Sequence, residues 1–377
     1  MVVLLRKNKF LAFVIILISV SFIACSSNNQ GKKEESEKGV FVEKWDNFYE
    51  GSNIKFYYEN PEESNLQLLK DKYKLSEVVK NGRDDFEKSL NLMKWINTKM
   101  KYSKGSISTK EDALSILKEA TAANATFSDK DFAIVYSQAA SSLGIYARRG
   151  EYRIKNSQQD GKDSYYKVCE VWSDKHSKWI MLDVVNNCYI EYKGKPLSAT
   201  EVLNMGMDNI KVTGIKDLEK YVKKLKAYLY SYTIEIDNNI YGSAKSNSFI
   251  SYSKSLDMPE VRIEGGLIRP TIFVKKDTLF NRSPRIEYKN DNSDKLGSLI
   301  IQKKNATEGE KEEELAINVA AFKNSGNIKD YFISVDNKPW EKISMFKTIS
   351  MKEGKTNIRL SEDGKKAIKE IILQYKK

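Results

Sequence analysis

Histidine is almost missing from this chain: His176 is the single one among 377 residues. That scarcity argues against a metal site built on imidazoles, and neither a metal nor any other cofactor is expected. Cysteine is nearly as rare, with just Cys25, Cys169 and Cys188. Three cysteines cannot make a disulfide scaffold, although Cys169 and Cys188 could form one bridge in an exported protein. Basic residues are plentiful but never gathered into a patch interleaved with aromatics, which argues against a nucleic-acid partner. The formal charge of +12 reads first as a solvated, Lys-rich surface. Attraction to an anionic membrane or wall polymer is the other reading.

What is present begins with a leader. Arg6, Lys7 and Lys9 precede an apolar run from Phe10 to Ile23, a positive segment followed by a hydrophobic one too short and one-sided for a core helix. Phe22-Ile23-Ala24-Cys25 closes it and resembles a bacterial lipobox, with Phe22 a departure from the usual branched aliphatic residue. Residues 1–24 are therefore expected to be a lipoprotein signal peptide, with Cys25 carrying the lipid that attaches the protein to the outer face of the cell membrane. A cleaved leader with a free Cys25, or an uncleaved anchor, are the alternatives. Residues 25–45, opening on a run rich in Ser, Asn, Lys and Glu, are expected to be a flexible tether.

The remaining chain is too long for one ordinary core, and its pattern changes along the way. Phe86, Leu90, Met93, Ile96 and Met100 mark a one-faced helix over 84–100. Thr109 with Asp112 suggests a capping box for a helix at about 110–122, and Ser128 with Asp131 suggests another. The helix after Ser128 carries Phe132, Val135, Tyr136, Ala139, Ala140 and Leu143 on its core face, and Gly144 stops it. Strands follow at about 145–154, 165–173 and 179–185, then a Lys-rich helix over Leu218–Tyr230. Beyond 246, short strands between Asn, Asp, Gly and Lys turns predict a β-sandwich with Trp340 buried in it. These comprise Val261–Ile263, Thr271–Val274, Arg285–Tyr288, Leu299–Gln302, Leu315–Ala321, Asp330–Val335 and Thr356–Leu360. Residues 361–377 fit either a closing strand or a short helix.

Three stretches bear on chemistry: Phe127-Ser128-Asp129-Lys130-Asp131-Phe132-Ala133, Tyr166-Lys167-Val168-Cys169-Glu170-Val171-Trp172, and Trp179-Ile180-Met181-Leu182-Asp183. Together they resemble the core of the transglutaminase-like (papain-type) superfamily. The likeness runs over about 85–205 and includes Leu143-Gly144-Ile145-Tyr146-Ala147-Arg148. It implies an α+β fold, helices on an antiparallel sheet, over 46–245, and the sandwich over 246–377 resembles immunoglobulin-like accessory modules. It also implies that Asp129 stands where the family carries its nucleophilic cysteine and Tyr166 where it carries its histidine, while Asp183 matches the third member.

A cysteine at a helix N-terminus is activated because orphan N–H groups stabilise its thiolate, and a histidine takes the proton. Aspartate in that niche is stabilised as a weakly basic anion, and it also reads simply as a favourable first-turn residue. Tyrosine, with an unperturbed pKa near 10, is a neutral hydrogen-bond donor rather than a base. His176 cannot stand in. It lies in the turn between two strands, on the order of 20 Å from the strand start at about 3.4 Å per residue. Cys169 differs from Tyr166 by an odd number of strand positions, so it faces the other side of the sheet.

The expectation is a domain that has lost the inherited reaction and binds peptide, cell-wall or glycan material in the former cleft. Tyr166, Arg148 and Trp172 are the binding candidates, although Arg148 reads first as a buried guanidinium tying strand to helix. A hydrolase or transferase working through Asp129, Tyr166 and Asp183 is one rival. A purely structural ectodomain is the other.

Overall fold

The computed structural model describes residues 39–155, 164–242, 248–254, 270–289, 291–304 and 315–376. The leader expected over residues 1–24, Cys25 and the strand expected at 261–263 lie outside the described residues. Among the described residues no helix is long and apolar enough to cross a membrane.

The fold is α+β. Its larger part is built on a nine-stranded sheet. From one edge its order is Thr271–Val274, Phe249–Ser253, Ser231–Glu235, Ala147–Arg153, Tyr165–Ser173, Lys178–Asp183, Cys188–Tyr192 and Lys195–Pro196, with Lys211–Thr213 also pairing with Cys188–Tyr192. All neighbours run antiparallel except Thr271–Val274, which runs parallel to Phe249–Ser253.

Alternation along the strands sends one set of side chains to each face. On one face Cys169, Val171, Ile180 and Leu182 pack with Leu66, Leu92, Ile96, Ile116 and Val135, which come from five helices' worth of chain between Ser64 and Ser142. On the other, Tyr166, Val168, Met181 and Ile190 pack beneath the helices Ala199–Met205 and Leu218–Lys226.

Asp129–Ser142 is the central helix, buried along nearly its whole length. Small Ala139, Ala140, Ser141 and Ser142 keep the bulk of its second half low, and in its first half Cys169 Sγ of the sheet reaches Ala133 O at 3.8 Å. Gly144, at φ 76°, takes the left-handed conformation that ends the helix without a Cβ penalty. The capping box expected at Ser128 and Asp131 is present. At the preceding helix, Ala113–Glu119, the cap is Asp112 itself, which accepts from Ser115 N at 2.9 Å, and Thr109 has no part in it.

The second part is a β-sandwich. A five-stranded sheet, Gly39–Asp46, Lys369–Lys376, Gly354–Ser361, Asp330–Val335 and Glu341–Ser344, faces a four-stranded one. The latter is made of Ser298–Lys303, Ala316–Lys323, Gly326–Asn327 and Phe346–Ser350. Leu299, Ile317 and Val319 from one sheet meet Tyr331, Ile358, Leu360 and Ile371 from the other.

Four expectations about this region are corrected. Residues 39–45 are not tether: Gly39 pairs with Lys376 and Trp45 with Ile371, so the strand before the core domain completes the sandwich after it. The sandwich does not begin at 246, because Phe249–Ser253 and Thr271–Val274 extend the core sheet. Residues 285–288 form no strand. The buried tryptophan of the sandwich is Trp45, whereas Trp340 is half-exposed with Arg359 over its ring. The chain's end, Lys369–Lys376, resolves to the closing strand rather than a helix.

The connection between the two parts is fixed by hydrogen bonds. Asn47 exchanges two bonds with the Leu299 backbone, at 2.8 and 2.6 Å, as a strand residue would. Buried Asp294 accepts from Tyr49 OH and from the backbone N–H groups of Ser52, Asn53 and Asn324. Arg282 holds the carbonyls of Ser52 and Ile54, and its own carbonyl accepts from Trp179 Nε1 at 2.8 Å.

Candidate functional site

The central helix opens at the end of the strand Tyr165–Ser173, and three local devices hold that junction. Phe127 bridges to the 101–103 segment through Phe127 N to Lys101 O and Ser103 N to Phe127 O, at 2.9 and 3.0 Å. Ser108 Oγ donates to Asp131 Oδ1 at 2.5 Å, which ties the 103–108 loop to the helix's first turn. Asn97 Nδ2 donates to Val184 O at 2.7 Å and fixes the strand end that carries Asp183.

Asp129, Tyr166 and Asp183 line one cleft of ≈ 350 Å³, within the range of about 300–1,000 Å³ common for small-ligand sites. The sequence pattern therefore brought its three positions together. Tyr166 OH donates to Asp183 Oδ2. Asn186 Nδ2 donates to Tyr166 OH at 2.9 Å and to both Asp183 oxygens at 3.1 and 3.0 Å, while Asn186 N adds a bond to Asp183 Oδ1 at 3.0 Å. Burial raises the Asp183 carboxyl above the usual range, although Tyr166 and Asn186 pull the other way by bonding its charged form. Burial, then the neighbouring Asp183, pushes the Tyr166 phenol far upward. It stays a neutral donor throughout the range in which proteins work.

Asp129 is half-buried, and burial raises its carboxyl too, against the pull of the Lys167 ammonium and the Lys130 N–H. Three exposed lysines, Lys104, Lys130 and Lys224, also line the cleft. Lys224 Nζ lies 5.1 Å above the centre of the Tyr166 ring. Lys167 is committed elsewhere, to Glu151 Oε2 at 2.5 Å.

Two binding candidates lie outside the cleft. Arg148 is wholly buried, on the same face of the sheet as Tyr166 but farther along the strands. Its guanidinium bonds Glu170 at 2.8 and 2.5 Å and Phe280 O at 2.6 Å, and stacks 4.1 Å from the Trp179 ring centre. Glu170 is completed by Tyr232 OH and Ala199 N. Arg148 thus joins neighbouring strands to the C-cap of the short 3-10 helix Asp277–Leu279 in the connection leading to the sandwich, and through Glu170 to the start of the helix Ala199–Met205. An anionic ligand cannot reach it. Trp172 is buried against Trp179, with its Nε1 on Asp174 Oδ1 at 2.8 Å.

Cys169 and Cys188 are both free and buried, packed in opposite cores of the sheet, so they make no bridge. Burial pushes both thiols up, away from reactivity. His176 stays in its turn with its ring edge-on to Phe86, and is no part of the cleft. Among the described residues no group of His, Cys, Asp or Glu is placed to hold a metal ion. Sequence reasoning missed the cleft's wall, because Tyr102 with Lys104, Lys130, and Lys224 with Tyr228 come from three separate segments. Only the doublet Tyr165-Tyr166, beside the named position, was a signal within reach.

Over this geometry, the model of the Transglutaminase-like superfamily matches residues 73–184. Residues 73–184 are a transglutaminase-like superfamily domain. The match spans the helices between Leu75 and Glu119, the central helix, and the strands ending at Asp183, and begins just after the helix Ser64–Lys72. The domain's sheet runs on past the matched region, to Val274. No curated protein matches the chain. Among solved structures, a Cytophaga hutchinsonii protein named "Putative Cysteine Protease" is similar at 20% identity and a TM-score of 0.26, over 34% of this chain and 40% of that one.

Proposed function

We propose that the transglutaminase-like domain is a binding module, not a catalyst, presented at the outer face of a bacterial membrane by a lipid on Cys25, and that its cleft holds peptide, cell-wall or glycan material. The observation that supports this most is the bond from Tyr166 OH to Asp183. A histidine there would be oriented by the carboxylate and would take a proton from a nucleophile. A phenol bonded to that carboxylate does neither, and Asp129 brings no thiolate to the helix start.

One observation favours a rival, a glycan hydrolase: burial raises both Asp129 and Asp183, as a general acid requires. Asp183 is poorly suited to that role, because Tyr166 and Asn186 occupy both its oxygens. The test is direct. Purified chain is incubated with glutamine- and lysine-bearing peptides and with cell-wall fragments, and products are followed by mass spectrometry. No cleavage or cross-linking is expected. Turnover that Asp129→Ala abolishes would overturn the reading. Lipid attachment is tested separately by the mass of the N-terminal peptide and by release of Cys25→Ser from membranes.

A further inference from the structure

The wall of the cleft offers two kinds of surface in unequal amount. Among the described residues, aliphatic surface in the cleft is confined to Ile107 and Val185, so there is little to receive an apolar peptide side chain. Tyrosine rings are abundant: Tyr102, Tyr165 and Tyr228 are all partly exposed, Tyr102 at 36%. Sugar rings present C–H faces that stack on such aromatic planes, while hydroxyls reach phenols and ammonium groups. The charge is equally one-sided at the mouth. Lys104, Lys130 and Lys224 are exposed there, whereas Asp183 is sealed beneath Tyr166 and Asn186. Lys224 is held in place over the Tyr166 ring. Among the described residues, Asp129 is then the one carboxyl lining the cleft that is not sealed.

We infer that the cleft takes an anionic saccharide, one bearing carboxylate or phosphate groups, and that Asp129 acts as a built-in counter-anion which the ligand's charge must compete with. The inference rests on the binding reading above and names its ligand class. The sugar faces lie on the tyrosines, and the acidic group sits among Lys104, Lys130 and Lys224. The first-turn N–H groups of the central helix favour the same anion. Since the lysines are exposed, the attraction is screened by salt.

The experiment is calorimetric titration of the full chain, solubilised in mild detergent, with four probes. These are an oligogalacturonate, the same oligomer fully methyl-esterified, a glycerol-phosphate oligomer, and a glutamate-rich peptide. Binding of the first or third, weakened by 0.5 M salt and at least about tenfold weaker for the ester, is expected. The tighter of the two identifies carboxylate or phosphate as the preferred group. Lys224→Gln and Lys130→Gln should each weaken binding about fivefold, the scale of one exposed charge contact. Asp129→Asn should tighten it by a similar factor. All three substitutions lie on exposed or half-exposed positions, so a circular-dichroism melt separates a lost contact from a lost fold. Equal affinity for ester and acid, or an unchanged Asp129→Asn, overturns the inference while leaving a binding cleft in place. So does preference for the peptide. Turnover of any probe by the native chain overturns the binding reading itself.

Discussion

Asp183 is a buried carboxyl with no imidazole to orient, and its surroundings explain how the chain retains it. Tyr166 and Asn186 give its oxygens four donated bonds, counting one backbone N–H. Even so, burial wins and the carboxyl is raised. A carboxyl raised in the folded state holds its proton more tightly there than in the unfolded chain. Its contribution to stability is therefore full below the unfolded value, near pH 4, and is lost as pH rises through the folded one. Asp183→Asn has no such loss, so its melting temperature relative to the native chain should climb between pH 4 and pH 8. A difference that stays flat over that interval would show Asp183 to be ionised without penalty. The residue types at 129, 166 and 183 were legible in the sequence, because each belongs to a short local pattern. Asn186 as the clamp and the lysines of the cleft mouth were not, since they converge only through the fold.

At the scale of the element, most of what positions the cleft could be read directly. The central helix starts where its capping box predicts, and the strands Tyr165–Ser173 and Lys178–Asp183 fall within a residue or two of their expected bounds. The cap is a separable contribution. Ser128→Ala removes an acceptor for Asp131 N and a donor to Asp131 Oδ2. It should cost about 1 kcal/mol in urea unfolding and leave the slope of the transition unchanged. A loss under a few tenths would mean that the Phe127 bridge and the Ser108 bond fix the helix start without it. Periodicity identified Thr271–Val274 as a strand but assigned it to the wrong sheet, since alternation reports that a strand has two faces and says nothing about its neighbours. The strands Ser231–Glu235 and Phe249–Ser253 border a run dense in Asn, Ser and Tyr, whose turn chemistry suggested a domain boundary instead.

Across the whole molecule, the two parts are joined more firmly than a serial arrangement suggests. Trp45 lies in the sandwich core at 8% exposure, and its ring meets Phe273 of the nine-stranded sheet edge-on, with centroids 5.3 Å apart. Trp45→Ala should destabilise the protein by about 3–5 kcal/mol, the range for a buried aromatic truncated to a methyl group. Urea unfolding followed by circular dichroism would measure it, and a cost below 1 kcal/mol would mean the site refills from Phe273 and its neighbours. No local signal in residues 39–46 announces a partner at the other end of the chain. Long-range pairing is a property of the assembled sheet, and the polar run before Gly39 masks the strand's pattern.

That pairing also sets an order of events in synthesis. Lys44 and Glu370, ion-paired across the first and last strands, are 326 residues apart. Gly39–Asp46 must therefore wait, with an open edge, until Lys369–Lys376 has been made. The five-stranded sheet cannot close before that strand is made. Loop closure over such a distance is slow, and an unpaired edge is exposed to wrong partners meanwhile. Removing Lys369–Lys376 would leave both Gly39–Asp46 and Gly354–Ser361 without the strand between them, so these eight residues hold the five-stranded sheet in one piece.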